Sequence, residues 1–216
     1  DRMSELSVTI ICKNEAKRIR RCLESVTWAD EIVVLDSGSE DDTLAIAREY
    51  TDKVFVNDDW PGFGLQKRLA ADKASHDWIL SLDADEVVSD ALRESIQRVM
   101  QAPDEHSVYR VNRLVCFCGR YIRHSGWHPD RIVRLYHRRH YKYNDKLVHE
   151  TVSCDGAKRV ELDGKLMHYT YQTLEDYIDK RNAYARAWAD SQYQKGKKAG
   201  IFTTLVHTLF AFVRHY

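Results

Sequence analysis

Four short apolar runs in the first hundred residues are each followed by a stretch of helical periodicity, and few architectures accommodate that order. Leu6-Ser-Val-Thr-Ile-Ile-Cys12 and Glu31-Ile-Val-Val-Leu-Asp36 are rich in β-branched side chains and read as buried strands. Lys53-Val-Phe-Val-Asn57 and the run from Asp77 to Leu82 read as a third and a fourth. Ile19, Cys22, Leu23 and Val26 recur at helical spacing and predict a helix from about Glu15 to Val26. A second helix carries Leu44, Ile46 and Ala47 with Asp41 or Asp42 as its cap. A third runs from Leu65 to Ala74 behind Gly62 and Gly64, and a fourth from Ala91 to Met100. Strand–helix alternation repeated four times predicts an α/β domain with a mostly parallel sheet flanked by helices on both faces.

Ligands in such sheets bind beyond the carboxyl ends of the strands. Lys13-Asn14-Glu15, Asp36 and Asp83-Ala84-Asp85 all fall at those ends, so three polar clusters from separate strands converge on one rim. The run Trp78-Ile-Leu-Ser-Leu-Asp-Ala-Asp-Glu86 ends abruptly in carboxylates, a good place to hold a hard cation such as Mg²⁺ or Mn²⁺. Taken alone, a D-x-D is equally a solvated strand-to-helix turn.

The 216 residues are 44% hydrophobic and 31% charged, enough for one large core. Formal net charge is zero but unevenly placed. Residues 1–105 carry 13 basic and 23 acidic side chains, and residues 106–147 carry 10 and 2. An acidic half followed by a basic stretch suits a site where a metal meets an anionic substrate; ordinary surface patterning is the alternative. The five cysteines follow no zinc or disulfide spacing and read as reduced thiols in a cytoplasmic setting. No secretory leader is evident at Asp1-Arg-Met-Ser4, and no segment has the roughly 18 to 20 apolar residues that span a bilayer.

After Met100 the alternation stops. Val108 to Val115 and Ile132 to Tyr136 read as further strands around a Gly- and aromatic-rich loop. Leu174 to Gln194 reads as one long polar helix, with Leu174, Tyr177, Ile178, Tyr184, Trp188 and Tyr193 on an aromatic face. A basic linker with Lys195, Lys197 and Lys198 leads to a last segment, Ile201 to Tyr216. Ile201, Leu205, Leu209 and Phe212 line one side of that segment, with Phe202, Val206, Phe210 and Val213 beside them. It is too short to span but fits an interfacial helix drawn to anionic headgroups; docking on the domain's own core or on another subunit is the alternative. The chain stops without a capping or polar close; were it cut short there, membrane-contacting residues would be missing from it. The expected division is a nucleotide-sugar-binding half over 1–105, an acceptor-binding and catalytic half over 106–172, and a helical extension over 173–216.

Val8-Thr-Ile-Ile-Cys-Lys-Asn-Glu15, Val33-Val-Leu-Asp-Ser-Gly-Ser-Glu-Asp-Asp-Thr43 and Leu82-Asp-Ala-Asp85, in that order, resemble the nucleotide-sugar domain of family 2 glycosyltransferases with the Rossmann-like GT-A fold. Gly126-Trp-His-Pro-Asp-Arg-Ile-Val-Arg-Leu-Tyr136 and Leu147-Val-His-Glu150 are similar to one branch of that family, which includes bacterial lipopolysaccharide inner-core β-1,4-glucosyltransferases. The resemblance implies an inverting transfer of a sugar, glucose from UDP-glucose, onto a lipopolysaccharide core acceptor at the cytoplasmic face of the inner membrane. Another polysaccharide or lipid-linked acceptor is the alternative within the family, and galactose or an N-acetylated sugar is the alternative donor group.

By the same resemblance, Asp36 contacts the uracil or ribose and the Asn14-Glu15 loop walls the nucleoside pocket, unless Asn14 is a helix N-cap. Asp83 and Asp85 match the metal motif, with Asp85 as the direct ligand of Mg²⁺ or Mn²⁺ bridging the diphosphate. His168 is the candidate third member of the metal shell, or else a histidine satisfied by an ordinary hydrogen bond. Glu150 matches the general base and Asp130 is its runner-up; this chain has His-Glu where many relatives have Glu-Asp, and a salt bridge with nearby arginines is the other reading of Glu150. Lys67 is assigned to the diphosphate or to a solvated helix face. Arg131, Arg134 and the other arginines of the basic stretch suit acceptor phosphates, and Trp127 and Tyr121 suit stacking on sugar rings.

Two other classes compete. A nucleotidyltransferase shares the sheet and the paired carboxylates, but places a Gly-rich loop after the first strand, and Lys13-Asn-Glu-Ala-Lys-Arg18 has no glycine. A nucleic-acid-binding module would use the basic stretch, yet no reader motif is present and none is expected as a partner.

Overall fold

The computed structural model describes residues 4–124, 128–145, 150–194, 196, 200, 204–206 and 208–210. The four predicted strands form as β1 (Leu6–Cys12), β2 (Glu31–Asp36), β3 (Val54–Val56) and β4 (Trp78–Asp83). Their connecting helices are α1 (Ile19–Glu24), α2 (Thr43–Arg48) and α3 (Phe63–Asp72). A three-residue strand, β5 (Glu86–Val88), separates β4 from α4 (Asp90–Val99). Then come β6 (Ser107–Phe117), β7 (Arg120–Tyr121), β8 (Asp130–His137), β9 (Lys142–Tyr143), β10 (Val152–Ser153), β11 (Lys158–Glu161) and β12 (Leu166–Tyr171), before α5 (Leu174–Gln194).

Ten of these strands make one sheet whose main path runs β3-β2-β1-β4-β8-β6-β12-β5. The first four are parallel, β8 runs antiparallel between β4 and β6, and β11 and β12 lie parallel to β6. The sheet is therefore continuous across the two halves expected from the sequence.

Alternation along the strands explains why both faces are covered. Leu6, Val8, Ile10 and Cys12 of β1 join Ile32, Val34, Leu80 and Leu82 on the face that receives Cys22 and Leu23 of α1, Ala47 of α2 and Ile96 of α4. Val33, Leu35, Ile79 and Ile11 face the other way, against Ala70, Ala71 and Ala74 of the α3 segment.

Three local differences from expectation have simple causes. Helix α1 starts at Ile19 rather than Glu15, because residues 16–18 form a turn in which the Glu15 carbonyl accepts from both Arg18 N and Ile19 N at 2.9 Å. Asn14 is accordingly no N-cap. Asp41 does the capping work expected near α2 from just outside the helix, its Oδ1 accepting from Thr43 N at 3.0 Å. The expected aromatic face of α5 is mostly solvent-exposed: Tyr177 packs on Phe117 and Tyr171, but Leu174, Ile178, Trp188 and Tyr193 are exposed. The side chain of Tyr184 and residues Ile201, Phe202, Phe212 and Val213 of the last segment lie outside the described set, whereas Leu205, Val206, Leu209 and Phe210 are described and exposed. No cysteine is in a disulfide.

Candidate active site

The strand ends carry the polar clusters to one rim, as the alternation requires. Asp36 closes β2 opposite Cys12 of β1, and Asp83 closes β4 opposite Ile11. Asp36 is fully buried. Its Oδ1 accepts from Gly38 N at 2.8 Å and Ser39 N at 2.7 Å, and its Oδ2 from the hydroxyl of Ser39. The tight turn depends on Gly38, which sits at φ +83° with Asp58 Cβ 3.3 Å from where its own Cβ would be. The carboxylate expected to touch a base or ribose is thus engaged in shaping the loop 37–39. Asn14, at φ +54°, stitches the β1 loop to that loop: its N–H donates to Ser39 Oγ and its Oδ1 accepts from Glu40 N, both at 2.8 Å. Glu15 N donates to Thr43 Oγ1 at 2.8 Å, and Arg18 pairs with the Glu15 carboxylate at 3.0 Å.

The D-x-D pair divides its labour. Asp83 falls on the α3 side of the sheet, with Ile79 of the same strand, and there it meets two cations. Lys67 Nζ lies 3.0 Å from Asp83 Oδ1, and Arg134 Nη2 lies 2.7 Å from Asp83 Oδ2. Burial alone would push the Asp83 carboxyl up, but Lys67 and Arg134 hold it well below the usual carboxylate range. Lys67 is no solvated helix residue: it is 1% exposed, on the buried side of α3 beside Gln66. Its ammonium also reaches Glu150 Oε1 at 2.8 Å and lies 5.2 Å from the centre of the Tyr143 ring. Burial and Arg134 work against that charge, and Asp83, Tyr143 and Glu150 outweigh them.

Arg134 reaches this cluster through a β-bulge. Tyr109 of β6 faces Leu135 and Arg110 faces Val133, so Arg134 is the extra residue in β8. Its guanidinium binds Asp83 and Glu86, and Glu86 is fully buried. Arg113 approaches Glu86 at 3.5 Å and clasps Asp130 Oδ2 through both Nε and Nη2 at 2.8 Å. A chain of alternating charge therefore runs Glu150–Lys67–Asp83–Arg134–Glu86–Arg113–Asp130, linking both candidate bases to the D-x-D. In the sequence Glu86 stands only as part of a carboxylate run and Arg113 only as one arginine of the basic stretch, so their place in this chain of charge is not expected from it. The clue was available in Glu86, a third carboxylate directly after the D-x-D, but its pairing across β4, β8 and β6 is long-range.

Asp85 points elsewhere. Its Oδ2 lies 3.3 Å from His168 Nε2, and the Asp85 carbonyl accepts from Tyr169 N at 2.9 Å. β12 brings His168 there by pairing with Glu86 of β5. Both side chains keep partial exposure, 11% and 15%, and Asp85 borders a cleft with Arg18, Arg21 and Tyr169. Oxygen and nitrogen ligands of one cation bound at about 2.1 Å stand about 3 Å apart, so this pair fits two adjacent positions of a divalent metal shell.

The arginines of the basic stretch are mostly spoken for. Besides Arg113 and Arg134, Arg110 pairs with Glu161, and Arg138 and Arg139 both pair with Asp77. Arg131 is half-exposed, 3.9 Å from Glu161 and apart from the carboxylate cluster. Arg120 and Arg123 remain exposed. Asp77, Asp83 and Glu86 of the acidic first half thus meet arginines of the basic stretch, and Arg134, expected at acceptor phosphates, is instead buried against Asp83 and Glu86. Tyr121 is exposed and bonds to Tyr169 through their hydroxyls at 3.1 Å. Trp127 lies outside the described residues.

Residues 7–166 match the family model described as glycosyl transferase family 2. The chain belongs to that family. The lipopolysaccharide core biosynthesis glycosyltransferase LpsC of Rhizobium meliloti (strain 1021) is 32% identical over 98% of this family 2 chain and 80% of LpsC. An uncharacterized glycosyltransferase of Rickettsia bellii (strain RML369-C) is also 32% identical, over 98% of this chain and 77% of its own. Among solved structures, S. aureus TarS 1-349 in complex with UDP superposes with a TM-score of 0.55 at 19% identity, covering 81% of this chain and 62% of that one. A second TarS structure gives 0.56 and is covered over 38% of its length. These likenesses give the fold as GT-A. The family 2 assignment makes the chain a glycosyltransferase and displaces the nucleotidyltransferase alternative.

Proposed function

We propose that this glycosyltransferase transfers a sugar, glucose in the first instance, from a UDP-sugar to a lipopolysaccharide core acceptor with inversion at the anomeric carbon. The observation that carries the reading is the Glu150–Lys67–Asp83 chain with the Asp85–His168 pair beside it, all at the carboxyl ends of β4 and its neighbours. The nucleoside is assigned to the loops after β1 and β2, whose backbone Asn14, Asp36 and Ser39 fix; Glu15 stands on the same loop. Asp85 and His168 are assigned to Mg²⁺ or Mn²⁺, which when bound offsets charge on the departing diphosphate.

The remaining chemistry belongs to the chain. Lys67 holds Oε1 of Glu150, which leaves Oε2 to take the proton of the acceptor hydroxyl. The acceptor oxygen then bonds to the anomeric carbon as the bond to the diphosphate oxygen breaks, and the electron pair leaves with the nucleoside diphosphate. Asp130 is the second candidate base, but Arg113 already forks onto its Oδ2. Glu150→Gln is expected to cut turnover by at least about a hundredfold, the scale of a general base, while donor affinity stays unchanged. If Asp130→Asn shows that pattern and Glu150→Gln does not, the base is Asp130.

The acceptor assignment leans on LpsC and the exposed Arg120 and Arg123; among the described residues no helix is long and apolar enough to cross a membrane. Contact with the membrane surface is assigned to the segment bearing Leu205, Val206, Leu209 and Phe210, which are apolar and exposed.

A further inference from the structure

One side-chain cluster outside the proposed catalytic rim has the composition of a metal site. Glu105 lies in the turn between α4 and β6, His137 ends β8, and His140 lies in the turn that follows. Glu105 Oε2 is 3.3 Å from His140 Nε2 and 3.9 Å from His137 Nε2. One ligand atom from each falls within 4.8 Å of the others. Tetrahedral ligands bound at about 2.0 to 2.1 Å stand roughly 3.3 Å apart. Glu105 and His140 already have that spacing, and His137 at 3.9 Å from Glu105 must close in to reach it, the three ligand atoms lying within 4.8 Å of one another.

The scaffold around these atoms is already assembled. His137 packs edge-on against Trp78, with ring centroids 5.2 Å apart, and lies 4.9 Å from the His140 ring. Tyr141 Oη donates to the His106 carbonyl at 2.8 Å, so the two turns are joined before any ion arrives. The plain alternative is a surface carboxylate beside two histidines with no ion between them.

We propose that Glu105, His137 and His140 form a second divalent-metal site, selective for Zn²⁺, that clips the turn after α4 to the turn after β8. Two imidazoles and one carboxylate form a borderline nitrogen–oxygen set, which favours zinc over the hard Mg²⁺ or Mn²⁺. Water fills the remaining position. The site is distinct from Asp85 and His168. His137 pairs with Trp78 at the start of β4, and Asp83 ends that strand five residues on, about 16 Å away at the rise of a β-strand.

The test uses the untagged full chain, stripped with EDTA, exchanged into buffer and titrated with ZnCl₂ by calorimetry and thermal melting. Zn²⁺ is expected to raise the melting temperature of the wild type and of Asp85→Asn alike. Glu105→Gln and His140→Asn change exposed side chains and should fold. Each is expected to weaken that binding by at least about tenfold, the order of effect seen when a metal's supporting partners are lost, with sugar transfer in Mg²⁺ unchanged. No Zn²⁺-dependent shift in the wild type, a shift undiminished in both Glu105→Gln and His140→Asn, or one abolished by Asp85→Asn would overturn the site.

Discussion

Lys67 shows how one buried charge ties the two halves of the proposed reaction together. It meets Asp83 of the donor side and Glu150 of the acceptor side with its own ammonium. Removing one partner of a buried pair leaves the others uncompensated, so Lys67→Met should lower unfolding stability by about 3 to 5 kcal/mol in urea titrations at neutral pH. The pH dependence follows from the depressed Asp83 carboxyl. A group held below its ordinary value contributes stability fully above that value and loses it as pH falls, so the gap between wild type and Lys67→Met should shrink below about pH 4. A gap that widened in acid would contradict the pairing. Such a role for lysine is hard to read from sequence, because a lysine in a helix is ordinarily solvated and its neighbours Asp83 and Glu150 are far away in the chain. Asp85 with His168 was more legible: the D-x-D ends an apolar run, and the family resemblance supplied a histidine in the later part of the domain.

At the scale of elements, the parallel strands and their helices are legible because each carries its own periodicity and buries one face. The short strands β5, β7, β9, β10 and β11 are not, since two to four residues hold no period and their pairing is set by distant partners. The bulge that aims Arg134 is invisible for the same reason: it exists only as a mismatch between β6 and β8. Tight junctions between elements give sharp tests. Gly164, at φ +88° before β12, passes so close to α4 that an added Cβ would fall 2.2 Å from Leu92 N. Gly164→Ala should therefore destabilise the fold by at least about 2 kcal/mol, measured by thermal or urea unfolding. At the other rim, burial would raise the Glu31 carboxyl, yet Lys53, Ser7 and Ser75 hold it at about 2. Glu31→Gln should cost most stability above pH 4.5, with the difference from wild type fading as pH falls toward 2.

Across the whole molecule, the separation of charge seen in the sequence resolves into complementarity. Carboxylates of β4 and β5 meet arginines of β6 and β8, so zero net charge conceals a cross-sheet lattice of ion pairs that carries the groups of the proposed site. The exposed apolar groups near the end of the described chain predict surface binding. Leu205→Asp combined with Leu209→Asp should reduce co-sedimentation with anionic vesicles and leave the melting temperature unchanged; equal binding by the variant would remove that segment from the account. The most direct test of the central claim is a thermal melt with UDP-glucose and Mn²⁺, because a ligand that binds the folded state raises its stability by mass action. The proposed site predicts a rise in the wild type that disappears in Asp85→Asn and in His168→Asn. No rise with any UDP-sugar, or the same rise in both variants, would contradict it.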